Sequence, residues 1–361
     1  MNRYFIDPDI CKAETLPASF YRDPEVFNYL KEQLFARAFH YIGDQRELIN
    51  QSQNTFPISL YPGYLDESLV LVKQKDDSLK LLSNVCTHRA NIIVHHPEKS
   101  RKLQCQYHGR QFKLDGTMDR MPEFEQAENF PRDCDHLHRF DLKKIGNILF
   151  AGLGNQVPFQ GVIDQIMERM YFLPLDEFKI DKKLSKDYLV NCHWALYCDN
   201  YLEGFHIPFV HEDLNEALDY GSYETVLYDY MNLQIGYADG AEEVFDLPKD
   251  HPDSGKKVAA YYYWLFPNTM LNFYPWGLSI NIIKPISPDK TKVSFISYVW
   301  DESKLQGGAG ALLDKVERED EFVVEGVHKG LKSNHYTTGR FSPTREKGVH
   351  HFHRLLSELF K

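Results

Sequence analysis

Apolar and polar positions change rhythm several times along the chain, and each change predicts a different element. Near the start, Asp23-Pro24-Glu25 is a helix-start signal, and Phe27, Leu30, Leu34 and Phe35 follow at helical spacing. Residues 1–38 therefore read as an arm and a helix that pack on a neighbouring domain. From about residue 41 to 153 the apolar runs are short and broken by Gly, Pro and Asp. Residues 68–73 and 79–85 flank a turn at Asp76-Asp77-Ser78, the signature of a small all-β unit. Residues 154–180 hold one amphipathic helix with Val162, Ile166, Met167 and Met170 on its apolar face. A second domain begins near Leu184, with a helical segment around 193–206, a strand-rich tract at about 258–300 and a long helix at about 309–331. The expected fold class is α+β: an N-terminal all-β domain at 39–155, then a C-terminal domain of antiparallel sheet and helices at 156–361. No internal repeat or low-complexity tract points to a repeat architecture.

Length and composition agree with this division, since 361 residues at 43% apolar content can fill two cores. The first residues lack the basic-then-apolar order of a signal peptide and no apolar run is long enough to span a bilayer, so a cytoplasmic protein is expected. A net charge of -11 argues against nucleic-acid binding, which needs a cationic surface, and suits docking to a basic redox partner. Six cysteines (Cys11, Cys86, Cys105, Cys134, Cys192, Cys198) are too few for a disulfide scaffold in a chain of this length. Those with histidines nearby become candidate metal ligands.

Cys86-Thr87-His88 is followed after sixteen residues by Cys105-Gln106-Tyr107-His108, giving C-x-H-x16-C-x2-H. Each half supplies one thiolate and one imidazole. A Rieske [2Fe-2S] centre needs that mixture, with Cys86 and Cys105 on one iron and His88 and His108 on the other. A structural zinc ion could also take two Cys and two His, although zinc modules usually pair like with like at other spacings. Gly109 and Leu114-Asp115-Gly116-Thr117 suit the tight turns that bring two loop tips together.

A second constellation lies at Glu203, His206 and His211. On an ideal helix Glu203 and His206 share a face, but His206 and His211 stand about 140° apart. Pro208 is expected to kink or end the helix and let His211 swing back. Two histidines beside a carboxylate are what a 2-His-1-carboxylate Fe(II) site needs, with open positions left for O2 and substrate. On the later helix, Leu312, Leu313, Val316, Val323, Val324, Val327 and Leu331 form one stripe, and Asp320 falls inside it, whereas Glu317, Glu319, Glu321 and Glu325 fall at its margin or outside. A carboxylate on a core-facing stripe is costly unless paired or metal-bound, which makes Asp320 the best candidate for the third ligand, with a buried salt bridge as the alternative and Glu319 next in line.

Through Asn84-Val-Cys86-Thr-His88-Arg89, Cys105-Gln-Tyr-His108-Gly109, Leu114-Asp-Gly116 and the acid-x2-H-x4-H pattern at 203–211, the chain resembles the α subunits of Rieske non-haem iron oxygenases. It departs from the common wording at Gln106 and at Arg110-Gln111-Phe112, which leaves the ligands intact. The likeness extends from about Phe35 to Phe360 and includes the tail around Gly339-Arg340-Phe341, Glu346 and His350-His351-Phe352-His353. It implies a helix-grip catalytic domain with mononuclear Fe held by His206, His211 and Asp320. It also implies that Glu203 bridges a Rieske histidine to an iron-ligating histidine, and that this contact joins neighbouring subunits of a homotrimer.

The same resemblance implies O2 activation with electrons from NAD(P)H through a separate flavin/iron-sulfur reductase; no Gly-rich nucleotide fingerprint follows a strand in this chain. Glu at 203 and the wording Asp199-Asn-Tyr-Leu-Glu203 look closer to the choline, carnitine and betaine monooxygenase branch than to ring-hydroxylating relatives, and aromatics crowd the second domain where a quaternary ammonium could be held by cation–π attraction. An aromatic ring-hydroxylating dioxygenase is the alternative. A Rieske electron-transfer protein would account for the first motif only.

Overall fold

The computed structural model describes residues 3–154, 156–211, 220–238, 243–305 and 313–361. The chain forms two compact units, one of residues 35–159 and one in which residues 1–34 join 160–361. The first is built from β1 (Phe39–Asp44), β2 (Thr55–Leu60), β3 (Glu67–Lys73), β4 (Leu79–Ser83), β5 (Leu103–Gln104), β6 (Gln111–Phe112), β7 (Met118–Arg120), β8 (Arg139–Ile145) and β9 (Ile148–Gly152). A six-stranded antiparallel sheet runs β1-β9-β8-β4-β3-β2, beside a small sheet β5-β6-β7. Leu69 to Val72 is a continuous apolar run because both faces of β3 are covered. Val70, Val72 and Leu82 pack with Leu103, Phe112, Cys86 and Cys105, so one core supports both cysteine-bearing loops.

The second unit is built on β10 (Lys179–Val190), β11 (Glu224–Tyr228), β12 (Met231–Tyr237), β13 (Val258–Leu265), β14 (Thr269–Tyr274), β15 (Gly277–Ser287) and β16 (Lys290–Val299). β11 to β16 form an antiparallel meander, and β10 closes the far edge beside β16. The helix Trp194–Tyr201 contacts β15 on one side and the helices Leu313–Gly330 and Lys347–Glu358 on others, so the sheet and helices enclose it. Its residues Trp194 to Cys198 are all buried. Polar side chains inside the sheet are matched to it: Gln234 donates to the Tyr201 carbonyl at 2.7 Å, and the Tyr201 hydroxyl donates to Asn272 at 2.6 Å. Two buried amides thus hold the last turn of the helix.

Asp23 caps the helix Pro24–Gln33 by accepting from the Glu25 amide, as the start signal predicts. The arm before it pairs with the C-terminal tail, Glu14 bridging to Arg340 and the Thr15 amide donating to the Gly339 carbonyl at 3.0 Å. Tyr21 and His353 both bond Asp199, each at 2.9 Å, which ties both ends of the chain to the helix Trp194–Tyr201. Among the described residues no helix is long and apolar enough to cross a membrane.

Two sequence expectations are corrected here. The helix around 193–206 ends at Tyr201, so Glu203 and His206 stand in a turn. Pro208 does not kink a helix; it sits in the first turn of a new one-turn helix, Ile207–Val210, where its missing N–H costs nothing. The start expected near Ala309, with Leu312, lies outside the described residues.

Gly348 lets the Lys347–Glu358 helix approach the chain just before Glu203, since a Cβ there would stand 2.3 Å from the Leu202 carbonyl oxygen. Gly348→Ala is expected to cost about 1–3 kcal/mol through overpacking, read as a lowered midpoint of thermal unfolding. An unchanged midpoint would show that the helix shifts freely.

Candidate metal centres

The two cysteine loops share one backbone plan. The Ala90 amide donates to the Cys86 carbonyl at 2.9 Å and the Cys86 amide to the Asn91 carbonyl at 2.8 Å; four and five residues past the second cysteine, Gly109 returns to the Cys105 carbonyl at 3.1 Å and Arg110 accepts from the Cys105 amide at 2.9 Å. Each turn closes through a left-handed residue, Ala90 at φ 53° and Gly109 at φ 73°. Glycine takes that conformation freely; alanine does so at a cost. Asp135 from a third loop ties them together. Its carbonyl accepts from Thr87 at 2.8 Å and from Arg110 at 3.2 Å, and its carboxylate accepts from Arg110 at 2.9 Å. Burial would raise the Asp135 pKa, but the Arg132 amide and the guanidinium groups of Arg110 and Arg132 hold it well below the usual range, so the clamp stays ionised.

Cys86 and Cys105 are buried and within hydrogen-bonding reach of each other, while His88 and His108 face one another with ring centroids 4.8 Å apart. Asn91, from the first loop, reaches the Cys105 sulfur of the second at 3.7 Å. A thiol pair and an imidazole pair fit a two-iron cluster. Nδ1 of His88 is buried and has no hydrogen-bond partner among the described residues, whereas His108 is exposed, so the imidazole side of the set reaches the surface.

The second centre stands on the short helix and on the helix Leu313–Gly330. Asp320 Oδ1 lies 3.1 Å from His211 Nε2 and 3.5 Å from His206 Nε2, and it accepts from Asn200 at 2.6 Å. Each imidazole is backed by a second carboxylate. His206 Nδ1 lies 2.7 Å from Glu203 Oε1, and His211 Nδ1 lies 2.7 Å from Glu319 Oε2. An ionised carboxylate only accepts, so the bonds to Glu203 and Glu319 put a proton on each Nδ1 and leave the Nε2 atoms, which face Asp320, as the nitrogens a metal would take. Glu203 thus lies behind His206, on the side of the ring away from Asp320, and its other oxygen accepts the amides of Phe205 and His206. Two imidazoles and one carboxylate round one point fit a facial triad for Fe(II).

The stripe reasoning placed Asp320 inward, where its side chain is 14% exposed, but misplaced others. Glu317, expected at the margin, is only 2% exposed, while Val327 is 46% exposed. The buried face is rotated toward Glu317, Val324, His328 and Leu331, because the helix packs on a polar site and on Tyr197, which donates to Glu317. Spacing alone gave no signal for Asn91, Asn200 or Asp135; Glu319 was visible only as an acid beside Asp320. A cavity of about 110 Å³ adjoins the triad, lined among others by Tyr197, Tyr201, Tyr223, Tyr262, Tyr274 and Phe295.

Two protein families match the chain: the Rieske [2Fe-2S] domain over residues 48–131 and the ring hydroxylating alpha subunit (catalytic domain) over residues 175–361. Similar curated proteins include the chloroplastic choline monooxygenase of Arabidopsis thaliana, 27% identical over 97% of this chain and 84% of that one. The oxygenase subunit of carnitine monooxygenase from Escherichia coli (strain K12) is 28% identical over 97% of this chain and 95% of its own. Among solved structures, a quaternary ammonium Rieske monooxygenase superposes with a TM-score of 0.75 at 21% identity, covering 98% of this chain and 97% of that chain. At that identity the superposition speaks for the fold alone.

Removing single donors should separate the centres. Cys86→Ser or His108→Ala is expected to abolish the cluster's visible absorbance while the second site still loads iron; Asp320→Ala should do the reverse. Glu319→Gln, which loosens His211 without removing a ligand, is expected to weaken iron binding about 10- to 100-fold by titration of the apo site. A normal Rieske spectrum in Cys86→Ser, or full iron affinity in Asp320→Ala, would reassign the ligands.

Proposed function

Because the chain belongs to the ring hydroxylating alpha subunits and is the oxygenase component of a Rieske-type system, we propose that it hydroxylates or N-demethylates a small quaternary ammonium compound. The observation that carries the substrate class is the cavity beside His206, His211 and Asp320. Its lining offers five tyrosines and a phenylalanine, with no Lys or Arg among the described residues that form it. Aromatic faces attract an alkylammonium, and a basic side chain would repel it. The names of the choline and carnitine monooxygenases that the chain resembles support the same class.

When bound, the cluster passes single electrons and the mononuclear iron activates O2. For hydroxylation the balance is one C–H bond, O2, two electrons and two protons giving C–OH and water, with the electrons drawn from NAD(P)H by a reductase. At an N-methyl group the resulting N–CH2OH loses formaldehyde and leaves a tertiary amine. The protein's share is positional. Cys86, Cys105, His88 and His108 would hold the cluster; His206, His211 and Asp320 would hold the iron, with Glu203 and Glu319 keeping each imidazole in one tautomer. The aromatic lining excludes water and presents the substrate to the triad.

The route between centres is proposed to run from His108 of the partner subunit through Glu203 to His206 in a cytoplasmic homotrimer. Glu203 Oε1 already accepts from His206 Nδ1 and can accept a second bond. Phe205 and Phe209, beside it, are 42% and 82% exposed, an apolar surface that a subunit contact would cover.

Glu203→Gln keeps the shape but loses the charge and one acceptor oxygen, so both metals should load while cluster oxidation in a single turnover slows sharply. Wild-type rates in that variant would remove Glu203 from the route. Substrate-dependent O2 uptake with a reductase, run across quaternary amines and arenes, tests the substrate class; coupled uptake is expected with an amine, and uptake coupled only to arenes would replace it with aromatic ring dioxygenation.

A further inference from the structure

We infer that Glu317 is the cation anchor of the cavity, its carboxylate holding the positive charge of an alkylammonium substrate against the tyrosine faces. The inference rests on the quaternary ammonium reading of the same site. Glu317 lines the cavity and is 2% exposed. One of its oxygens accepts from the Tyr197 hydroxyl; the other, Oε1, is buried and makes no hydrogen bond among the described residues. Arg318 compensates this charge least of the groups that act on it, since its guanidinium pairs with Glu321 at 2.9 Å. A buried carboxylate that lacks a cation must either stay protonated or find one. Burial, opposed by the bond from Tyr197 and reinforced by the charge of Asp320, holds the Glu317 pKa well above the usual carboxylate range, and an ammonium in the cavity would lower it again.

The ligand chemistry matches this arrangement. A quaternary ammonium has no N–H, so hydrogen bonds cannot recognise it; a fixed negative charge and π faces can. Gln234 adds a second buried acceptor, Oε1, that also has no partner among the described residues, and it lines the same cavity. For packing alone, an apolar residue would serve better at 317.

The test uses iron-loaded, full-length protein under anaerobic conditions, with binding measured calorimetrically for choline and for its uncharged carbon isostere, 3,3-dimethylbutan-1-ol. Wild type is expected to prefer choline. Glu317→Gln should weaken choline by about tenfold or more while leaving the isostere within about twofold, and Glu317→Asp, which keeps the charge, should retain the preference. Glu317→Leu takes the place of the Gln variant if that one does not fold. An undiminished preference in the uncharged variant overturns the anchor and leaves the substrate class standing. The absence of any preference in wild type overturns the substrate class, and the anchor with it.

Discussion

A carboxylate on the inward face of a helix needs a partner for its charge, and Asp320 is the point at which this chain meets that requirement. Its Oδ1 stands against two imidazole nitrogens and an amide, contributed by the segment that runs from Asn200 to His211. Everything around it serves to bring that segment there: the sheet amides that hold Tyr201, the tail helix that Gly348 lets press against Leu202, and the joint grip of Tyr21 and His353 on Asp199. Removing the packing would leave three ionisable groups without a reason to converge.

At His206 and His211, second carboxylates orient the rings as a metal site would need. An imidazole free to rotate offers either nitrogen; one whose Nδ1 is bound to Glu203 or Glu319 offers only Nε2. The cysteine loops reach the same end by backbone means. Two turns of one design present thiols inward to an apolar core and imidazoles outward, and Asp135 locks them together through Thr87 and Arg110. One centre is thus fixed by charge pairing between side chains, the other mainly by main-chain hydrogen bonds.

Those two solutions suit different tasks. An imidazole exposed on a loop fixed by main-chain bonds is open to a neighbouring protein, and His108 stands in that position. The second set of donors is enclosed instead, beside a cavity of tyrosines and Glu317 inside the helix-and-sheet unit.

The sequence by itself determined the α+β class, the two metal motifs and the inward place of Asp320, because ligand identity and local periodicity are properties of neighbouring residues. Cys86, His88, Cys105 and His108 could be read as a set since each pair sits within one loop. Only the tertiary structure decided what depends on which face meets which neighbour. The helix Leu313–Gly330 buries Glu317 and exposes Val327 because Tyr197 packs there, a contact between positions 120 residues apart. Glu319 became the partner of His211 for the same reason. The helix ended at Tyr201, several residues before the break that Pro208 predicts, and a new turn opened at Ile207, because contacts from the sheet and the tail hold Tyr201 and Leu202 in place.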